Sequence, residues 1–157
     1  MKLQNQLMLP QEAVRTALDH VRRYGGADVE TGLFLLAPRG SDAVGIVALT
    51  GNKGITRRRN MFAVSGAALD GEDLVVLAQL HSHGGRAFLS PTDTEHGFAV
   101  EGFTSTVVPS YNAPPTDPAR WGWWRYEAGA WRAILPPTTL DGSVRCVMFD
   151  EEGVREP

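Results

Sequence analysis

Apolar positions along the chain fall into segments of two different periods. Between residues 10 and 24, Val14, Leu18 and Val21 recur at three- and four-residue intervals, flanked by Ala13 and Ala17 and interrupted by Arg15, Arg22 and Arg23. That spacing predicts an amphipathic helix. Pro10 suits its first position and Gly25-Gly26 its end. His20 lies within it and reads as a surface or boundary histidine. The pattern then changes to short apolar runs bounded by turn residues, at 28–37, 44–50, 61–64 and 74–78, each of which reads as a strand. Ser90-Pro91-Thr92-Asp93 has the makings of a helix start, with serine as cap, proline first and an acid third. That helix is expected to run to about Val100 and stop near Gly102. Residues 104–108 read as a strand and 109–118 as a loop. Segments 121–126 and 131–135 flank Glu127-Ala128-Gly129-Ala130 as a hairpin, 143–149 is a last strand, and 150–157 a polar tail. With no internal repeat and no linker, the order predicts one α+β domain over residues 1–157. Its sheet is mostly antiparallel or mixed, flanked by an N-terminal helix and a middle helix.

Composition narrows the classes. A chain of 157 residues can bury a proper core, and 43% hydrophobic against 21% charged residues is a globular balance. A net charge of -3 gives no general attraction to nucleic acid, so the tryptophans of the hairpin read as packing and not as base-stacking platforms. Arg57-Arg58-Arg59 reads as a solvated loop. The single cysteine, Cys146, excludes an internal disulfide and a cysteine-based zinc site, and a cysteine protease built on it fits poorly in mid-strand. No stretch has the roughly 18 apolar residues of a membrane helix, and no signal pattern opens the chain, so a cytoplasmic protein without a membrane partner is expected.

Chemistry concentrates between residues 81 and 96, which hold three of the four histidines. His81 and His83 follow the run at 74–78, and residues two apart on a strand share a face. Two imidazoles there make half of a metal site. Asp93 can be the third ligand if the chain reverses at Gly84-Gly85. His96 is an alternative ligand and Glu95 a weaker one. Glu30, Glu72, Asp73 and Glu95 are all candidate bases by chemistry, and spacing alone does not choose among them.

His81-Ser82-His83, Ser90-Pro91-Thr92-Asp93 and the upstream Glu30-Thr31-Gly32 together resemble the signature of the JAB/MPN+ (JAMM) zinc metalloproteases. The resemblance spans residues 10–135 in element order and about fifteen positions in specific motifs. Two features depart from it. Six residues separate His83 from Ser90 where the family has seven, and Gly84 stands in place of a proline. The resemblance implies a JAB/MPN-like, cytidine-deaminase-like fold. It implies Zn2+ held by His81, His83 and Asp93, with Glu30 as the base and Ser90 as the oxyanion donor. The implied reaction is cleavage after the C-terminal glycine of a ubiquitin-like protein, either deconjugation or precursor processing. Activating and conjugating enzymes of the same operon are the implied partners, and antiphage defence the implied setting. The loops at 51–60 and 109–120 are candidates for gripping the modifier's tail, with the tail pairing at a sheet edge. Release of a small adduct from a sulfur-carrier protein, and an inert interaction scaffold of the same fold, are the competing readings.

Overall fold

The computed structural model describes residues 7–50, 73–96, 99–150 and 153–155. Within them the chain runs β1 (Met8–Pro10), α1 (Gln11–Gly25), β2 (Gly32–Pro38), β3 (Ile46–Thr50), β4 (Leu74–Ser82) and α2 (Pro91–His96). It continues through β5 (Thr104–Val108), β6 (Gly122–Glu127), β7 (Ala130–Ala133), β8 (Thr138–Leu140), β9 (Arg145–Asp150) and β10 (Gly153–Arg155). Among the described residues, eight strands form one sheet in the order β10-β9-β3-β2-β4-β5-β6-β7. The pairs β3–β9 and β4–β5 are parallel and the others antiparallel, so the sheet is mixed. Strands β1 and β8 form a separate parallel pair.

The core occupies both faces of this sheet. Leu33 and Leu35 of β2 join Ala78 and Leu80 of β4 beneath Val14, Leu18 and Val21 of α1. Phe34 and Leu36 face the other way, into a cluster with Ile46, Ala48, Phe103 and Val147. Burial on both faces is why β2 is a continuous apolar run and not an alternating one. The α+β architecture expected from element order is the one observed. Among the described residues, no helix is long and apolar enough to cross a membrane.

Several boundaries differ from the pattern-based expectation. Pro10 ends β1 and caps α1 from outside, its φ of -60° suiting either role. The run at 28–37 is a strand only from Gly32, because Asp28 at φ 56° belongs to the turn that leaves α1. Within the described residues the middle helix spans Pro91–His96, and Ala99 and Val100 are already outside helix and exposed. The strand expected at 131–135 is β7, which stops at Ala133. The polar tail contains β10, which pairs back on β9. Strands β1 and β8 are three residues each, too short to leave a period, and proline adjoins both. The strand expected at 61–64 and the arginine loop lie outside the described residues.

Candidate metal centre

Strands β2 and β4 set the geometry. In their antiparallel register Gly32 opposes His81 and Leu33 opposes Leu80. The pairing extends past β2: the Thr31 N–H donates to Ser82 Oγ at 2.9 Å, and the Ser82 N–H donates to the Thr31 carbonyl at 2.9 Å. Strand alternation then puts His81 and His83 on the face opposite α1, with Ser82 pointing the other way. The same register carries Glu30 across from His83 and onto the histidine face. Gly32 keeps that face open: a Cβ there would stand 3.0 Å from the Leu80 carbonyl oxygen and 3.9 Å from His81 Cβ.

Asp93 arrives on α2. Ser90 Oγ accepts the Asp93 N–H at 3.0 Å, and Asp93 Oδ2 accepts the Ser90 N–H at 2.9 Å. This reciprocal capping box starts the helix and also aims the carboxylate. Asp93 Oδ2 lies 3.2 Å from His81 Nε2 and 3.3 Å from His83 Nε2. All three side chains are buried, and their ligand atoms lie within 4.8 Å of one another.

A buried carboxylate is costly unless positive charge answers it, and a cation among these three groups would do so. Two imidazole nitrogens and one carboxylate oxygen are a suitable donor set for such an ion. Ligand bonds of about 2.0–2.1 Å in a tetrahedron put ligand atoms about 3.3 Å apart, close to the His–Asp separations here. His83 Nδ1 stands 3.3 Å from the Arg86 carbonyl oxygen. A carbonyl only accepts, so Nδ1 carries the proton and Nε2 presents its lone pair to the site.

In front of these groups is a cleft of about 360 Å³ lined by Glu30, His83, Gly84, Gly85, Phe88, Ser90 and Asp93. Phe88 sets its ring edge-on to His83 at a centroid distance of 4.8 Å, and the Arg86 guanidinium lies 5.1 Å above the Phe88 ring. The loop after β5 closes behind. Tyr111 N–H donates to the His83 carbonyl at 3.0 Å and Ser110 N–H to the Gly85 carbonyl at 2.9 Å. Asn112 Nδ2 donates to Asp28 Oδ1 at 3.2 Å. A Cβ on Gly84 would meet the Tyr111 ring at 3.0 Å. That contact is a physical reason for glycine where the resembling pattern has proline.

The structure thus brings together Glu30, His81, His83, Ser90 and Asp93. It does not bring Asp73, which is exposed at the opposite end of β4 and pairs with Arg39 at 2.9 Å. Glu72 lies outside the described residues, as do the loop at 51–60 and the side chains of Glu95 and His96. Cys146 sits on β9, three strands away from β4 in the sheet. His20 is not a surface or boundary residue: it is 5% exposed, with Nε2 3.0 Å from Thr31 Oγ1. Burial pushes its pKa down from 6.5 to about 4, a hydrogen bond to the Gly32 backbone partly opposes this, and the Arg23 charge adds to the lowering. His20 is therefore neutral at pH 7. Sequence reading missed it, together with Phe88 and Tyr111, because each acts through contacts distant in sequence. The one available signal was position: His20 lies three residues after Ala17 on the apolar edge of α1.

No protein-family model matches the sequence, and no curated protein does. Solved structures are similar to it. A solution structure of a protein from Desulfitobacterium hafniense superposes with a TM-score of 0.58 at 15% identity, over 88% of this chain and 94% of that one. A JAB1/MPN domain protein from Archaeoglobus fulgidus gives 0.54 at 12% identity, over 87% and 98%. A solution structure of a protein from Salinibacter ruber gives 0.52 at 23% identity, over 82% and 91%. Such identities carry likeness of fold alone: the chain has a JAB1/MPN-like fold, with a His-His-Asp group at the end of β4 that could hold a metal ion.

Proposed function

We propose that the protein is a zinc-dependent isopeptidase or peptidase that cleaves after the C-terminal glycine of a ubiquitin-like protein. The observation that carries this reading is the convergence in one cleft of Glu30, His83, Ser90 and Asp93, with His81 behind them. His81, His83 and Asp93 would hold the ion. When bound, zinc supplies Lewis acidity to the scissile carbonyl and lowers the pKa of the attacking water. Glu30 takes the proton of that water and passes it to the departing amine, so that a C–O bond forms as the C–N bond breaks. Ser90 Oγ already accepts the Asp93 N–H, which leaves its own proton to donate to the developing oxyanion. Gly84 and Gly85, exposed and without side chains, line the cleft beside Phe88, which suits an extended, narrow peptide tail.

The test is a fusion of a ubiquitin-like protein with a short peptide after its C-terminal glycine, followed by intact mass. The expected result is one zinc per chain and cleavage at the glycine. His81→Ala and Asp93→Ala lose both. Glu30→Gln keeps the zinc and loses cleavage by about 10²–10⁴-fold. Cleavage that persists after complete removal of metal by chelator would overturn the reading.

A further inference from the structure

On the face of the sheet away from the cleft, three polar side chains meet where the apolar core would otherwise continue. His20 on α1 shares a hydrogen bond between Nε2 and Thr31 Oγ1 at 3.0 Å and is also bonded to the Gly32 backbone. The Tyr24 ring packs on it edge-on at a centroid distance of 5.0 Å. Ser82, fully buried, accepts the Thr31 N–H and has its Oγ 3.4 Å from the Thr31 carbonyl oxygen. Residues 29–31 lie outside regular secondary structure, between the turn that leaves α1 and the first ladder residue, Gly32. Glu30 is therefore held from both sides: the Val29 N–H donates to the Tyr24 carbonyl at 3.0 Å, and Thr31 is gripped by His20 and Ser82.

An apolar side chain at position 20 would extend the stripe of Ala13, Ala17 and Val21 without desolvating an imidazole. The imidazole does what an apolar group could not, because it bonds to both residues that follow Glu30. Ser82 grips the same residue from β4, between the two histidines of the site.

We propose that His20 is a positioning residue for Glu30. Acting through Thr31, and together with Ser82, it fixes the backbone from which Glu30 reaches the cleft. This rests on the reading of Glu30 as the base. Glu30 loses its alignment with the water when Thr31 is released, whereas His81, His83 and Asp93 are held by β4 and α2 and stay in place.

The test compares wild type, His20→Ala, His20→Gln and Thr31→Val. Gln can still bond to the Thr31 hydroxyl, and Val keeps the shape of Thr31 without that hydroxyl. The first readout is amide hydrogen exchange of the metal-free protein. In His20→Ala and Thr31→Val the Thr31 N–H exchanges at least tenfold faster relative to the slowest amides of β4, and in His20→Gln it stays near wild type. The second is zinc stoichiometry and affinity, expected within twofold of wild type in all four proteins. The third is hydrolysis of the fusion. For His20→Ala and Thr31→Val, kcat falls about 10- to 100-fold with KM little changed, the scale of effect of a small misplacement of a reacting group. His20→Gln restores most of it. Unchanged Thr31 exchange in both Ala and Val variants overturns the proposal, as does a loss of activity matched by loss of zinc. Glu30→Gln is assayed in parallel. If it retains full activity the base assignment fails, while the exchange readout still decides whether His20 grips the segment.

Discussion

Ser90 Oγ caps α2 by accepting the Asp93 N–H, and in the proposed mechanism it also donates its own proton in the cleft, so on that reading Ser90→Ala removes two functions at once. Loss of the cap costs about 1 kcal/mol of stability. Loss of the oxyanion donor lowers kcat by about 10²–10³-fold. Ser90→Asp separates them: a carboxylate caps but cannot donate, so stability to urea returns while cleavage does not. Recovery of activity in Ser90→Asp would exclude the donor role. His20 gives a second prediction, in pH. Unfolded, it takes up a proton near pH 6.5; folded, burial holds this off until about pH 4. The unfolded chain therefore binds more protons between those values, and stability falls as pH falls through that window. The contribution is fully present above pH 6.5, and its loss by pH 4 amounts to about 3 kcal/mol. Urea denaturation of metal-free protein at pH 7.5 and pH 5 should show wild type losing about 2 kcal/mol more than His20→Gln. The two proteins differ at residue 20 alone, so the difference isolates that residue.

At the scale of elements, the site depends on close approach between α1 and the loop after β5. A Cβ on Gly25 would stand 2.1 Å from the Tyr111 carbonyl oxygen and 2.6 Å from its carbonyl carbon, backbone atoms that cannot turn aside. Gly25→Ala must therefore move the loop, at a cost of roughly 1–3 kcal/mol. Tyr111 N–H bonds to the His83 carbonyl, so the shift reaches the cleft. Both a lower denaturation midpoint and slower cleavage are expected. Gly84→Ala is milder, because the end of the Tyr111 ring stands in the way and Tyr111→Ala should relieve the clash. These contacts also show where legibility ended. The stripe of α1, the run of β2 and the His-Ser-His end of β4 were readable because period and composition are local. Ser90-Pro91-Thr92-Asp93 was readable as a cap for the same reason. The junction of Glu30 with His83 was suggested by resemblance, whereas its physical cause, the register of Gly32 on His81, is a long-range pairing that leaves no local pattern. The closure by Tyr111 left none either, and His20 left only its place on the apolar edge of α1. Helix α2 came out shorter than its cap suggested, because a capping box fixes where a helix begins and says nothing about where it ends.

Across the whole molecule, the candidate ligands come from two elements that the sheet does not join. His81 and His83 belong to the end of β4, while Asp93 rides on a two-turn helix held at its start by the capping box. A helix of six residues is far below the length that is stable alone, so its docking depends on tertiary contacts. An ion bound by all three groups ties α2 to the sheet in the folded state and has no such site in the unfolded chain. Binding energy then appears as folding energy. With free zinc at 1,000 times the dissociation constant, the gain is about 4 kcal/mol. For a domain of this size that corresponds to a rise in Tm of about 8–16 °C. The rise should vanish with chelator and be absent in His81→Ala and Asp93→Ala. It should persist undiminished in Glu30→Gln, since that residue lines the cleft without being one of the three ligands. A zinc-dependent rise of equal size in Asp93→Ala would place the ion elsewhere. No rise in any variant, with wild type unresponsive to zinc, would leave the His-His-Asp group as a structural cluster and remove the basis for hydrolysis.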